Sequence, residues 1–323
     1  MISRRLIRVK VLQVLYADHN KQDQTINQSE KELFFSINKS YDLYHLLLLL
    51  PVELFKSEEQ KIDNAKQKHI QKKEDRDPNT RFLDNKLVAQ IRNNWALSKY
   101  ISENKLTWVN YPEVIKNLYS KLLAKDYFLK YMNKPSNTYE DDKSLILHFL
   151  EEEVSEFTEM DMALEEQSIF WNDDVGFILS MVIKTLQGFK EKNGAEKSLM
   201  PKFKNEEDHD FAKQLFRKVM LNHEEYSAMI KKHSQNWDYE RIALMDIFIM
   251  QMAIAEILEF PSIPIKVSLN EYIEIAKDYS TSNSNTFING ILDNIVKSLK
   301  SESKIVKTGR GLIEQTNERG PET

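Results

Sequence analysis

The sequence predicts an all-α fold, and three observations lead to that prediction. Hydrophobic residues make up 41% of the 323 residues, which is enough for a core, and they recur at helical spacing in several segments. Only 7 glycines occur, three of them in the last fifteen residues. No Gly-x-Gly cluster or Asn-Gly pair is flanked by the alternating pattern of strands. Helices are therefore expected throughout.

The first helix is predicted over residues 3–17, where Ile2, Leu6, Val9, Leu12 and Tyr16 supply apolar contacts. It ends in the polar stretch HNKQDQTINQ. Ser29 and Glu32 then have the spacing of a capping box, which predicts an apolar helix up to Pro51 and a second, charged helix to about Gln71.

A loop is predicted over residues 72–81, where a charge cluster meets Asp-Pro-Asn. Helical patterns resume in four segments, which are residues 84–94, 114–131, 143–156 and 177–189.

Near the carboxyl end, two helices are predicted. Pro264 ends what precedes it, and Ser268 with Glu271 has capping-box spacing, so a helix is expected from Leu269. Ser284 is placed to cap the next helix, which is expected to open at about Thr286. Its apolar residues then recur at helical spacing as Ile288, Ile291, Ile295 and Leu299.

Composition excludes several function classes. The chain has no cysteine, so it holds no disulfide, thiolate nucleophile or cysteine-bound zinc. The longest apolar run, residues 46–52, is far shorter than the roughly 20 residues that span a bilayer. No signal-peptide core follows the first arginines. A cytoplasmic protein without a membrane association is expected.

Charge is distributed unevenly along a chain of net charge −5. Residues 1–17 carry Arg4, Arg5, Arg8 and Lys10 with no acidic residue, whereas residues 140–174 carry thirteen acidic residues against Lys143. On a helix the three arginines share an arc of about 100 degrees at the amino-terminal end. They could contact phosphates, although three arginines in a leader are more often a solvated face.

Two blocks of the chain resemble the transcription antitermination factor NusB family. The segment IPIKVSLNEYIEIAKDYS followed by NTFINGILD is similar to the family's carboxyl-terminal signature, and SRRLIRVKVLQVLYA resembles its first helix. The match extends upstream through family positions at Trp237, Arg241, Asp246, Ala253 and Glu256. The resemblance covers residues 211–299 and the amino terminus, and it implies a NusB-like helical bundle with an enlarged helical amino-terminal region.

The resemblance implies an RNA-binding surface and its partners. RNA contacts are expected at Arg4, Arg5, Arg8, Tyr16, Asn283, Ser284, Phe287 and Asn289. Phe287 could instead be a core residue, Asn289-Gly290 could mark close helix packing, and Asn283 stands where the family often has an acidic residue. The partners implied are boxA RNA of ribosomal RNA leaders and NusE, a small-subunit ribosomal protein. The complex would then modify RNA polymerase against termination.

No enzyme is predicted, and neither a cofactor nor a metal is expected. The glutamates of residues 151–156 are typical of a solvated face, and no phosphate loop, nucleophile elbow or His-Glu-x-x-His motif occurs. One rival is the NusB-like domain of ribosomal RNA cytosine methyltransferases, which would need a downstream domain with catalytic cysteines. Another is a helical protein-binding scaffold that binds no RNA.

Four regions are expected along the chain. They are the arginine-bearing first helix at 1–20, a helical insertion at 21–204, a NusB-like carboxyl-terminal domain at 205–300 and a disordered tail at 301–323. The insertion is either an elaboration without a separate role or an extra docking surface whose acidic part meets a basic partner such as a ribosomal protein.

Overall fold

The computed structural model of the chain describes residues 1–21, 24–234 and 239–312, with the side chain of Glu74 left out. Within these ranges the elements are helices without a strand, which confirms the all-α prediction. The α-helices of these ranges are α1 Arg4–His19, α2 Ile26–Lys66, α3 Lys73–Arg76, α4 Lys86–Arg92, α5 Trp95–Asn104, α6 Pro112–Leu123, α7 Asp126–Asn133, α8 Tyr139–His148, α9 Thr158–Gln167, α10 Val175–Gln187, α11 Glu206–Leu221, α12 His223–His233, α13 Leu244–Glu259, α14 Ile265–Tyr279 and α15 Ser284–Ser301.

The chain divides into two compact units. The terminal unit comprises Ile2–Ile37 and Phe203–Thr323, and the inserted unit comprises Asn38–Lys202 together with Met1. The predicted boundary near residue 204 lies close to the second of these divisions. The predicted four-part division stays a prediction.

Helix α13 is the centre of the terminal unit. It packs against α1, α11, α12, α14 and α15. Its sequence LMDIFIMQMAIAEILE is apolar nearly all round, which is typical of a helix enclosed by others. Three polar residues of α13, Asp246, Gln251 and Glu256, are buried with the rest, and such residues require hydrogen-bond partners.

The inserted unit is built around the second part of α2 and the helices α4 to α10. Four leucines of the run before Pro51 are buried, namely Leu46, Leu47, Leu48 and Leu50. Trp108 donates its indole N–H to the Leu46 carbonyl oxygen at 3.0 Å. Tyr44 and Thr185 join α2 to α10 through their hydroxyls at 2.8 Å. Of the acidic run, Glu151, Glu152 and Glu156 are exposed as predicted, whereas Glu153 is buried and pairs with Lys125 at 2.6 Å.

Several predicted helix limits were wrong. Pro51 lies inside a single 41-residue helix rather than between two helices. The capping box before this helix is formed by Thr25 and Gln28, because each backbone N–H donates to the other's side chain, and not by Ser29 and Glu32. The segment predicted at 114–131 divides into α6 and α7, and α3 lies inside the loop predicted at 72–81. Neither α5 nor α9 was predicted.

The described part of the tail contacts the corner between α13 and α14. Lys307 Nζ donates to the Phe260 carbonyl oxygen at 3.1 Å, and Thr308 N–H donates to that of Pro261 at 3.0 Å. Gly311 is buried beside Pro261. Residues 313–323 of the predicted disordered tail lie outside the described residues.

Candidate nucleic-acid interface

The three arginines of α1 each meet a carboxylate in the terminal unit. Arg4 Nε donates to Asp208 Oδ1 at 2.8 Å. Arg5 donates twice to Glu271, at 3.0 and 2.9 Å. Arg8 lies one turn further along α1 and pairs with Glu256. The arginines that share one arc of α1 are therefore held by acidic residues from α11, α13 and α14.

Arg8 and Glu256 form a buried, doubly hydrogen-bonded pair. Arg8 Nε and Nη2 donate to Glu256 Oε2 and Oε1, each at 2.7 Å, and the two side chains are 3% and 0% exposed. Ser268 Oγ and Tyr272 Oη also donate to this carboxylate, at 2.7 and 2.9 Å. The buried charge of Glu256 is thus satisfied by four hydrogen bonds from three residues.

Burial and pairing act in opposite directions on the pKa of Arg8. Burial disfavours the charged guanidinium, but the hydrogen bonds and the negative charge of Glu256 outweigh it and raise the pKa above its ordinary value. Burial beside Glu256 likewise raises the pKa of Tyr272 well above its ordinary value. Arg8 is therefore a permanent buried cation with a fixed partner.

Arg4 and Arg5 differ from Arg8 because they reach solvent. Their side chains are 34% and 50% exposed. The hydrogen bonds to Glu271, opposed by partial burial, raise the pKa of Arg5. Ion pairs exposed to this degree contribute only about 0 to 1 kcal/mol, so an incoming phosphate can compete for these guanidinium groups. Arg4 and Arg5 thus form an accessible basic end of α1.

Asp246 holds the loop between α14 and α15. Its carboxylate accepts hydrogen bonds from the hydroxyls of Ser280 and Ser284, the latter at 2.9 Å. Thr281 and Ser284 also share a hydroxyl hydrogen bond of 2.7 Å. Because Asp246 stands in the first turn of α13, the loop is anchored to the central helix of the unit.

The other predicted residues surround this loop. Asn283 is exposed at the N-cap of α15, Phe287 and Asn289 are half-buried in its first two turns, and Ser284 is buried against Asp246. Gly290 is exposed, and a Cβ built on it would meet nothing within 4 Å. The alternative in which Gly290 allows close helix packing is therefore wrong. The amino terminus of α15 also adds the positive end of its helix dipole.

Tyr16 lies at the same end of the unit as this loop. It is 42% exposed in the last turns of α1. The ring of His19, one turn later, meets the edge of Phe248 with ring centroids 5.7 Å apart, two residues after Asp246 on α13. Tyr16 is eleven residues beyond Arg5, or about 16 Å along the helix. The predicted residues thus form a basic end and a polar, aromatic end.

The predicted capping box at Ser268 and Glu271 was wrong, and both residues have another role. Helix α14 begins at Ile265 with Pro264 as its N-cap, so Ser268 lies in its second turn. Ser268 donates to Glu256, and Glu271 accepts from Arg5 and from Arg8. The helix predicted from Thr286 likewise begins earlier, at Ser284.

Sequence reasoning missed the carboxylates that hold the arginines and the loop before α15. Asp246 and Glu256 were named only as family positions on the buried helix, and Asp208 was not named. The signal that could have found two of them is the presence of acidic residues in an otherwise apolar helix, because buried carboxylates require partners. Trp237 of the family pattern lies outside the described residues, and Arg241 is exposed.

No cluster of three or more histidine, aspartate or glutamate side chains in residues 1–21, 24–234 and 239–312 could hold a metal ion. In the same ranges no helix has the length and apolar character needed to cross a membrane.

Comparison with known proteins gives consistent matches. Residues 178–297 match the NusB family. The transcription antitermination protein NusB of Salinibacter ruber is 43% identical over 138 residues, which are 41% of this chain and 86% of the relative. That of Koribacter versatilis is 36% identical over 128 residues, 39% of this chain and 88% of the relative.

A third relative, the protein of the same name from Chloroherpeton thalassium, is 44% identical over 105 residues, which are 32% of this chain and half of the relative. No solved structure gives a significant match. The identity to two relatives over most of their length, together with the match at 178–297, leads to one conclusion. The chain belongs to the NusB family.

Proposed function

We propose that this protein is a transcription antitermination factor that binds boxA-type RNA of ribosomal RNA transcripts together with NusE, and that the complex acts on the elongating RNA polymerase. The observation that carries the proposal is the extensive identity to proteins named for antitermination. The match at residues 178–297 includes α13, α14 and most of α15, and so the loop that Asp246 anchors.

The contacts proposed for RNA use both ends of the surface. Arg4 and Arg5 exchange their carboxylate partners for phosphates, since guanidinium groups bind phosphate with paired hydrogen bonds. Tyr16 and Phe287 stack on unpaired bases, and Asn283 and Asn289 donate to or accept from base edges. The span of about 16 Å between Arg5 and Tyr16 suits a short single strand. Arg8 and Ser284, also expected in the set, hold the two ends in place.

Substitution of Arg5 tests the basic end. Fluorescence anisotropy of labelled boxA RNA, with and without NusE, gives the affinity at several salt concentrations. Arg5→Ala should weaken binding and reduce the slope of log K against log salt by about 0.7, because one phosphate contact on a single strand is lost. Lys297→Ala is the matched control, because Lys297 is exposed on α15 about 15 Å beyond Phe287.

Glu271→Gln gives the complementary test. It removes the charge that competes with phosphate for Arg5, so RNA affinity should be maintained or increased. A loss of affinity in Glu271→Gln, or an unchanged affinity and salt slope in Arg5→Ala, would contradict the phosphate contact.

The second candidate function is a protein-binding scaffold that does not bind RNA. It is favoured by one observation, that all three arginines of α1 already have carboxylate partners. A pull-down with purified NusE and the RNA titration separate the two functions. Association with NusE and no RNA binding at micromolar concentration would support the scaffold, whereas failure to associate with NusE would contradict both.

A further inference from the structure

An open aromatic cleft lies within the inserted unit. Its volume is about 630 Å³, and its lining includes Tyr41, His45, Trp95, Lys99 and Tyr100. Trp95 is the first residue of α5 and is 71% exposed, whereas Trp108 and Trp171 of the same unit are buried. A large indole in water beside a cleft is a surface on which a planar ligand can stack.

The floor of the cleft is a fixed aromatic cluster. His45 stacks on Tyr100 with ring centroids 3.8 Å apart, and the edge of Tyr41 meets His45 at 4.5 Å. Tyr100 Oη donates to Asp42 at 2.8 Å, and Tyr41 Oη donates to the Met200 carbonyl oxygen at 2.9 Å. Burial lowers the pKa of His45 to about 4, so the ring is neutral near pH 7. These contacts hold the aromatic rings of the floor in place, and the histidine among them carries no charge.

The position of Trp95 is fixed by its neighbour Asn94. The Asn94 Oδ1 atom accepts from the Leu97 N–H at 3.0 Å and so caps α5. The amide of Asn94 also donates to the carbonyl oxygens of Ala195 and Lys197, at 3.0 and 2.8 Å. The two segments that border the cleft, residues 92–105 and 190–202, are thereby joined at the start of α5.

The residues that line the cleft carry a balanced charge, with Lys99 and Lys197 against Glu103 and Glu196, whereas the segments that flank it are basic. Residues 92–105 and 190–202 carry seven basic and three acidic side chains, a net charge of +4 in a chain of −5. Lys99 Nζ lies 5.1 Å from the centroid of the Trp95 ring. Lys99 Nζ also lies 3.9 Å from Glu103 Oε1, at the exposed rim of the cleft. An exposed aromatic ring between basic flanking segments is a combination that proteins use to bind single-stranded nucleic acid.

We infer that this cleft is a second single-stranded RNA site, in which an unpaired base stacks on Trp95 while Lys99 contacts the adjoining phosphate. The choice of RNA as occupant rests on the proposed function, which brings the protein to a transcript. The remaining basic residues of the border add attraction to the backbone that does not depend on sequence. The inserted unit would then extend the length of transcript that the protein contacts.

A fluorescein-labelled oligouridine of twelve nucleotides, which contains no boxA sequence, tests this inference with the full chain. Trp95→Ala should weaken binding about ten- to a hundredfold, as expected for the loss of one stacked base. Trp95→Phe should retain binding within a few-fold but lose the quenching of tryptophan fluorescence that RNA causes in the unaltered protein. Lys99→Ala should reduce the salt slope by about 0.7.

The matched control is Met162→Ala. Met162 is also 71% exposed, and it lies in the acidic stretch of the same unit, so its loss should leave oligouridine affinity unchanged. Thermal unfolding of Trp95→Ala should stay within about 2 °C of the unaltered protein, since an exposed side chain away from the core contributes little to stability.

Two results would overturn the inference. The first is that the unaltered protein does not bind oligouridine. The second is that Trp95→Ala binds oligouridine with unchanged affinity, which is the result expected if the cleft binds a peptide instead. A double variant, Arg5→Ala with Phe287→Ala, separates the two sites and should retain oligouridine binding. A different result would be that the protein binds boxA RNA no more tightly than oligouridine while Trp95→Ala still loses oligouridine binding. In that case the proposed function fails and the inference stands.

Discussion

The guanidinium of Arg8 and the carboxylate of Glu256 are joined by two hydrogen bonds of 2.7 Å across 248 residues of sequence, and neither group reaches solvent. Through Glu256 this pair connects α1, α13 and α14, because Ser268 and Tyr272 donate to the same carboxylate. Of the residues proposed to meet RNA, Arg4, Arg5 and Tyr16 stand on α1, one of the helices that this pair joins.

Breaking the pair should destabilise the fold. Arg8→Ala or Glu256→Gln leaves an uncompensated buried group, which costs about 3 to 5 kcal/mol. Urea denaturation should therefore show a large decrease in the midpoint. Arg5→Ala is the control, because a half-exposed ion pair should cost no more than about 1 kcal/mol. Equal midpoints for Arg8→Ala and the unaltered protein would contradict this role.

The stability of the protein should depend on Glu271 at acidic pH. Partial burial opposes the charge of Glu271, but the hydrogen bonds from Arg5 and the charges of Arg8 and Arg5 lower its pKa below the ordinary 4.5. A lowered pKa in the folded state contributes stability that is present above about pH 4.5 and is lost as the pH falls through the folded value.

Glu271→Gln should therefore be less stable than the unaltered protein above pH 5, and the difference should disappear as the pH falls below 4. Denaturation midpoints at a series of pH values measure this difference. Glu274→Gln, on the same helix, should behave as the unaltered protein does because its carboxylate meets Lys277 at the surface. A stability difference for Glu271→Gln that does not change with pH would rule out this linkage.

Phe287→Ala should weaken RNA binding more than it weakens the fold. Loss of one stacked base reduces affinity roughly ten- to a hundredfold. Because Phe287 is half-buried, its truncation should cost less than the roughly 3 to 5 kcal/mol of a core phenylalanine. Thermal unfolding and RNA affinity measured on the same variant decide between the two roles. A large melting shift with normal affinity of the folded protein would place Phe287 in the core.

Gly311→Ala should release the tail from the corner of α13 and α14. A Cβ at Gly311 would lie 2.1 Å from the Pro261 carbonyl oxygen, and this contact involves backbone, so the tail must move. The cost should be about 1 to 3 kcal/mol, and hydrogen exchange at Thr308, which donates to Pro261, should accelerate.

Gly290→Ala is the matched control. Its Cβ meets nothing within 4 Å in α15, so it should stabilise the protein by about 0.5 to 1 kcal/mol through helix propensity alone. If hydrogen exchange at Thr308 in Gly311→Ala is as slow as in the unaltered protein, the packing of Gly311 against Pro261 is not tight.

The sequence by itself determined the helices and the family. Apolar residues at helical spacing located α1, α10, α14 and α15 to within a few residues, because that pattern depends only on the helical period. The signature from Ile263 to Asp293 was sufficient for the family, which the comparisons then confirmed. Spacing also identified correctly that Arg4 and Arg5 lie together at one end of a helix.

Only the tertiary structure decided which of these side chains face water. Arg8 shares the arc of Arg4 and Arg5, yet it is buried because Glu256, distant in sequence, stands opposite it. Ser268 and Glu271 match a local capping pattern, but α14 begins four residues before the predicted start, and both bond to residues of other elements. Local spacing states which residues share a face, whereas the partner across that face is brought there by the packing of the other helices.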